Sequence, residues 1–173
     1  MNEPFGFLVL DKPKGFTSHD CVKRIRKAFG IKRVGHGGTL DPSVTGVLPI
    51  ALGPATRLLQ YLPSEKTYKG IIQLGKCTTT DDLDGKTIST HPWPELEEAT
   101  LEKHLENLRG QIQQKPPNIS SVHIDGERAY KRIHRGEIID IPKRLVTIHQ
   151  LLLLKWNKHL GQLEINVHCS SGT

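Results

Sequence analysis

One eight-residue stretch holds residue types able to do covalent chemistry: Gly35-His36-Gly37-Gly38-Thr39-Leu40-Asp41-Pro42. It combines a carboxylate, an imidazole and three glycines. Glycine lets a backbone turn sharply and lets a ligand approach closely. Pro42 fixes its own φ and biases Asp41 toward an extended conformation. Such a loop presents one carboxylate at a set angle. A lone carboxylate can serve as general base, covalent nucleophile, metal ligand or capping group. Asp41 and His36 alone, with no Cys or Glu beside them, make a weak metal site. A plain surface turn accounts for the same composition, since Gly, Asp and Pro dominate turns.

The surroundings narrow these choices. The chain of 173 residues carries 24 Lys and Arg against 18 Asp and Glu, a net charge of +6. That balance favours a polyanionic partner such as nucleic acid or an anionic membrane. Lys12, Lys14, Lys32 and Arg33 extend a basic field up to the glycine loop, which suits a phosphate backbone. A carboxylate aimed at a nucleotide inside such a field requires that the nucleotide be flipped out and held by stacking. Tyr68 is a candidate stacking platform, or an ordinary strand tyrosine. The sequence contains no G-x-S-x-G, Walker lysine motif or H-E-x-x-H, so three common catalytic classes lose support. Its three cysteines are far apart and odd in number, which argues for a reducing, cytoplasmic compartment and against a disulfide framework. The N-terminus does not read as a signal peptide, and no apolar run reaches membrane-spanning length.

The elements that must position this loop are legible on either side of it. Gly6 to Leu10 predicts a buried strand. Thr17 or Ser18 caps a helix running to Phe29, with Val22, Ile25 and Phe29 as its apolar stripe, Lys23, Arg24, Arg26 and Lys27 as its basic face, and Gly30 as its stop. Val47 to Leu52 predicts a second buried strand, with Pro49 marking an edge or bulge. A short helix carrying Arg57 follows over residues 54–62. Residues 66–76 alternate as a strand. The carboxylate cluster at residues 80–85 lacks the glutamate a calcium loop requires, since the twelfth position from Thr80 is His91; a solvated turn before a strand at 86–90 is the better reading. Residues 95–109 predict a helix with Leu101, Leu105 and Leu108 on one face. Residues 145–156 and 162–169 predict a hairpin. Between them, residues 115–136 are polar and basic, with a turn at 124–127 and a short basic helix at 128–136. They fit a mobile flap that closes on RNA and a basic surface excursion equally well. One interrupted α+β domain is the simplest architecture.

Several ordered motifs together resemble one family. Lys12-Pro13 after the first strand, the Gly35 to Pro42 loop, Thr45-Gly46-Val47-Leu48-Pro49-Ile50, Gly53-Pro54-Ala55-Thr56-Arg57, Lys66-Thr67-Tyr68, Thr80-Asp81-Asp82-Leu83-Asp84-Gly85 and the final Cys169-Ser170-Ser171-Gly172-Thr173 are similar to the TruB-type tRNA pseudouridine synthases. They look more like the stand-alone bacterial branch than the guide-RNA-dependent one. The resemblance implies the pseudouridine synthase fold, a bent, mixed, mainly antiparallel sheet with flanking helices. It implies isomerisation of uridine 55 in the tRNA T-loop, with no cofactor and no metal. Asp41 matches the family's nucleophile, His36 the histidine that supports or replaces the flipped nucleotide, and Tyr68 the tyrosine that stacks on the target base. Lys12, Arg33, Arg57, Arg128, Arg132 and Arg135 are the residues expected to meet RNA, the last three in an RNA-clasping insertion over about residues 116–143. The expected partner is the tRNA T-arm stem-loop, met by a monomer with no membrane and no obligatory protein partner. Gly37 stands where the family usually has Ser or Thr, and Ile119 and His123 replace its usual aromatic and lysine. The family continues past Cys-Ser-Ser-Gly-Thr with a tyrosine and, two residues on, an arginine that pairs with the aspartate. The expectation is therefore a catalytic domain truncated at its C-terminus, or, if the chain ends at Thr173, a non-catalytic tRNA-binding or RNA-folding module.

Overall fold

The computed structural model describes residues 4–116, 123–124, 127–128, 132, 135, 137 and 139–173. Where the sequence leads one to expect a single interrupted domain, compactness divides the chain into two units, residues 1–63 and 64–173.

The first unit is built on an antiparallel sheet of three strands, β1 (Gly6–Lys12), β2 (Val34–His36) and β3 (Gly46–Leu52), in the order β1-β3-β2. Helix α1 (Ser18–Phe29) connects β1 to β2, and a 3-10 helix (Gly53–Tyr61) follows β3. Cys21 and Val22 of α1 pack with Ile31, Val34, Leu48, Ile50 and Leu52 as the core. Strand β1, expected to be buried, is buried on one face only: Phe7 and Val9 face outward while Leu8 and Leu10 face the core. Pro49, expected at an edge or a bulge, lies in the central strand opposite Val9, in an unbroken register with β1. Its carbonyl accepts from the Gly37 amide at 2.8 Å, beyond the end of three-residue β2. In an antiparallel strand a residue's nitrogen and carbonyl point the same way. The missing N–H thus points away from β1, whose ladder loses no bond, and toward Gly37, where the reciprocal bond cannot form and β2 stops at His36.

Thr17 is the N-cap of α1: its hydroxyl accepts from the Asp20 amide at 3.0 Å, and Asp20 reaches back to the Thr17 amide, a reciprocal capping box. Gly30 ends the helix in the left-handed conformation, its N–H on the Arg26 carbonyl. Thr17→Ala is expected to lower stability by about 1 kcal/mol in urea denaturation. The Thr17 hydroxyl and amide, with Lys23, hold the Asp20 carboxyl below its ordinary 3.8. Because that value is depressed on folding, the charged cap contributes fully above the ordinary carboxylate range. Its contribution fades as pH falls below 3.8 and through the folded value.

The second unit carries β4 (Lys66–Gln73), β5 (Lys76–Thr78), β6 (Thr87–Thr90), α2 (Glu98–Glu106), β7 (Gly110–Gln114), β8 (His123–Ile124), β9 (Glu127–Arg128), β10 (Arg144–Asn157) and β11 (Gln162–Cys169). Four of these form an antiparallel sheet in the order β4-β11-β10-β7, while β5 pairs with β6 and β8 with β9. All described strand pairings are antiparallel. The hairpin β10–β11 falls where the alternation predicts it. Leu105 of α2 packs on Ile148, Leu151 and Cys169, with Ile165 and Val167 beside them. Helix α2 is shorter than the pattern suggests, and Leu108, placed on its apolar face, is exposed beyond its end. The pairing of His123 with Arg128 and Ile124 with Glu127 fits the expected turn at 124–127. Most of the insertion expected at 116–143, and of the basic helix within it, lies outside the described residues.

Candidate active site

The loop from β2 to β3 enters at His36, which pairs across the sheet with Ile50. The backbone of this entry lies hard against the 3-10 helix. A Cβ built on Gly37 would lie 2.5 Å from Leu62 Cδ1 and 3.3 Å from Pro49 Cβ, and one on Gly35 would lie 2.8 Å from Leu59 Cδ1. At position 37 the space a side chain would take is filled by Leu62. The His36 ring is half-buried, and its Nδ1 is buried with no hydrogen-bond partner among the described residues.

Asp41 lies at the exposed end of the loop. Its carboxylate makes no hydrogen bond or ion pair among the described residues. The backbone around it is held from three directions. The Asp41 carbonyl accepts from the Val44 amide at 3.1 Å, closing a turn. The Leu40 amide donates to Ser18 Oγ at 2.9 Å, and Ser18 Oγ in turn donates to the Leu40 carbonyl at 3.3 Å. The Pro42 carbonyl accepts from the Gly15 amide at 2.7 Å. A carboxylate that is wet and unpaired while its backbone is fixed is available to a ligand and cheap to approach. Sequence context marks Ser18 only as an alternative cap for α1, and nothing local to Gly15 points to the loop.

Lys12, expected at an RNA-facing surface, is a correction. It is 0% exposed, and its Nζ donates to the carbonyls of Phe16 at 2.7 Å and Pro13 at 3.1 Å. Its charge is spent on closing the turn after β1, where burial demands such partners, and it offers nothing to a phosphate. Arg26, placed on the basic face of α1, likewise reaches inward to the Val34 carbonyl at 3.1 Å. Lys23, Arg24 and Lys27 remain on the outer side of the helix, and the Arg24 guanidinium lies 4.3 Å from the Phe16 ring centroid. Arg33 and Arg57 lie on neighbouring segments. Arg33 Nε donates to Thr56 Oγ1 at 2.7 Å, which sets it beside the turn of helix carrying the exposed Arg57.

In the second unit Tyr68 sits on edge strand β4, opposite Val167, and is 38% exposed rather than a core tyrosine. Arg135 pairs with Glu127 and Glu137, and Arg132 with Glu137. These two arginines therefore carry their own counter-charges: Arg132 and Arg135 hold the Glu137 carboxyl below its ordinary value. Arg128 is described only as backbone of β9. The carboxylate turn at 80–85 uses Asp82 internally, its Oδ1 accepting from Thr80 Oγ1 at 2.6 Å and the Asp84 amide at 2.9 Å. No group of three or more potential metal ligands converges among the described residues.

Comparison with known proteins adds a family and a fold. Residues 26–173 match the family described as TruB family pseudouridylate synthase (N terminal domain). Over all 173 residues the chain is 64% identical to the tRNA pseudouridine synthase B of Prochlorococcus marinus (strain MIT 9313), covering 54% of that protein. It is 61% identical to the protein of the same name from Parasynechococcus marenigrum (strain WH8102), covering 60% of it. The chain thus spans little more than half the length of these relatives. Among solved structures, 98% of it superposes on 40% of a chain from a Cbf5-Nop10-Gar1 complex, with a TM-score of 0.72 and 29% identity. A chain of an H/ACA RNP bound to a substrate RNA containing 2'-deoxyuridine gives a TM-score of 0.67 at 27% identity.

Proposed function

The chain belongs to the TruB family of pseudouridylate synthases, and on that premise we propose that the protein converts uridine 55 in the T-loop of tRNA to pseudouridine, with Asp41 as nucleophile. The observation that carries the reading is the Asp41 carboxylate, exposed and unpaired among the described residues on a backbone held at both neighbours. The reaction is an isomerisation. The bond from the ribose C1′ to N1 breaks, a bond from C1′ to C5 forms, the proton on C5 leaves and N1 gains one. Nothing is oxidised or added, so the step needs no co-reactant. Asp41 attacks the flipped-out nucleotide and holds the reacting fragment while the base turns. His36 supports the flipped nucleotide, and the half-exposed Tyr68 ring stacks on the target base.

The basic residues left at the surface supply the phosphate contacts: Arg33 and Arg57, and Lys23, Arg24 and Lys27 on α1. Arg128, Arg132 and Arg135 extend them in the insertion, the latter two on condition that RNA displaces their glutamate partners. The protein acts as a monomer in the cytoplasm, a location that suits its three free cysteines, Cys77 among them exposed.

The test is conversion of a T-arm stem-loop by the complete protein, read as pseudouridine in the digested RNA. Pseudouridine at the position equivalent to 55 supports the proposal; no conversion, with the RNA bound, refutes it. Binding measured against salt separates the basic residues. Arg57→Ala is expected to reduce the slope of log K against log salt by about 1, whereas Lys12→Met leaves it unchanged. An unchanged slope for Arg57→Ala removes that residue from the interface.

A further inference from the structure

We infer that Ser18 is a positioning residue for Asp41, a role that rests on the reaction proposed above. The N-terminal turn of α1 carries two adjacent hydroxyls with separate tasks. Thr17 caps the helix and is exposed; Ser18, one residue on, is 3% exposed and makes no cap. Its Oγ instead bonds the amide and the carbonyl of Leu40, 22 residues away in sequence. That single hydroxyl fixes both polar groups of the residue immediately before Asp41. The residue immediately after it is fixed from the same place, since the Gly15 amide bonds the Pro42 carbonyl at 2.7 Å. Gly15 has φ +86°, a conformation open to glycine, and a Cβ added there would meet no atom within 4 Å. The turn before α1 and the first residue of α1 therefore grip the loop on either side of the nucleophile.

The consequence follows from the site's own lack of other restraint. The Asp41 carboxylate has no partner among the described residues, so its direction is inherited from the backbone. A helix anchored in the core by Cys21 and Val22 is a rigid reference for that backbone. Nucleophilic attack depends on reacting atoms held near contact distance, and a shift of about 1 Å costs on the order of 100-fold in rate. Ser18 is 3% exposed and its hydroxyl is engaged by Leu40, so it acts through that residue.

Ser18→Ala is compared with Thr17→Ala in the complete protein. Both lose a hydroxyl from the same turn, but only the first releases Leu40. Single-turnover conversion of the T-arm stem-loop is expected to fall about 10- to 100-fold in Ser18→Ala, with RNA affinity within threefold of the parent, and to stay within threefold in Thr17→Ala. Equal loss in both variants, or no loss in Ser18→Ala, overturns the assignment. Amide exchange reads the clamp without reference to activity. The Leu40 N–H should be protected in the parent and exchange at least tenfold faster in Ser18→Ala, with the core amides of β3 unchanged. An unprotected parent Leu40, or protection that survives the substitution, rejects the clamp. Loss of protection in Ser18→Ala together with a parent that makes no pseudouridine would reject the proposed reaction and leave the loop geometry standing.

Discussion

Asp41→Asn is expected to lower pseudouridine formation by at least about three orders of magnitude, on the order of 4 kcal/mol in the barrier, with T-arm RNA still bound within a few-fold. The amide keeps the size and hydrogen-bonding reach of the carboxylate but is no nucleophile. The side chain is exposed and unpaired among the described residues, so its replacement leaves no buried group unsatisfied and stability should change by no more than about 0.5 kcal/mol. The substitution therefore separates chemistry from folding and from binding. Its readouts are the single-turnover rate, RNA affinity and a urea melt of the same protein. Conversion near the parental rate would show that Asp41 does not form the covalent intermediate. A collapse in stability would show that the loop depends on the carboxylate in a way its hydrogen bonds do not explain.

Ile50→Ala is expected to destabilise the protein by about 2–5 kcal/mol, and Ile50→Val by about 0.5–1.5 kcal/mol. Ile50 is 0% exposed in the central strand of the three-stranded sheet, opposite Leu8 on one side and His36 on the other. It touches the same core as Val22 of α1 and Leu48 and Leu52 of β3. Truncation to alanine removes three buried carbons between two strands and a helix, where neighbours held by ladder hydrogen bonds cannot collapse to fill the space. Because His36 ends the short strand β2 directly across from this position, the loop entry should loosen together with the core. Denaturant midpoints of the two variants measure the effect. A loss below about 1 kcal/mol for the alanine variant would mean that this sheet is less tightly packed than its burial indicates.

Much of this was readable from residue order, for identifiable reasons. The capping hydroxyl, Asp20 three positions later and Gly30 bracket α1, because helix ends must satisfy backbone groups locally. The hairpin β10–β11 shows itself through alternation at Leu163, Ile165, Val167 and Cys169, a period that only a strand with one buried face explains. The glycine loop with Asp41 is equally local. Strand β7 was invisible: Gly110-Gln111-Ile112-Gln113-Gln114 has a single apolar residue, and it is a strand because residues 144–148 of β10 offer it a ladder.

Residue order alone places Asp41 and His36, the kind of loop that carries them and the elements that flank that loop, since each of these depends on residues close together in the chain. Tertiary structure alone decided the rest. Lys12 and Arg26 read as members of a basic surface, but both reach carbonyls of the fold: Lys12 is fully buried and must find partners there, and Arg26, partly buried, turns one guanidinium nitrogen onto Val34. Pro49 read as an edge or bulge residue and became central, because its missing donor faces Gly37, just past the end of β2, and not β1. Ser18 read as one of two equivalent caps and became the anchor of Leu40, a bond spanning 22 residues that no local pattern encodes. Charge, period and turn chemistry are local quantities; which polar group meets which across the fold is set by packing.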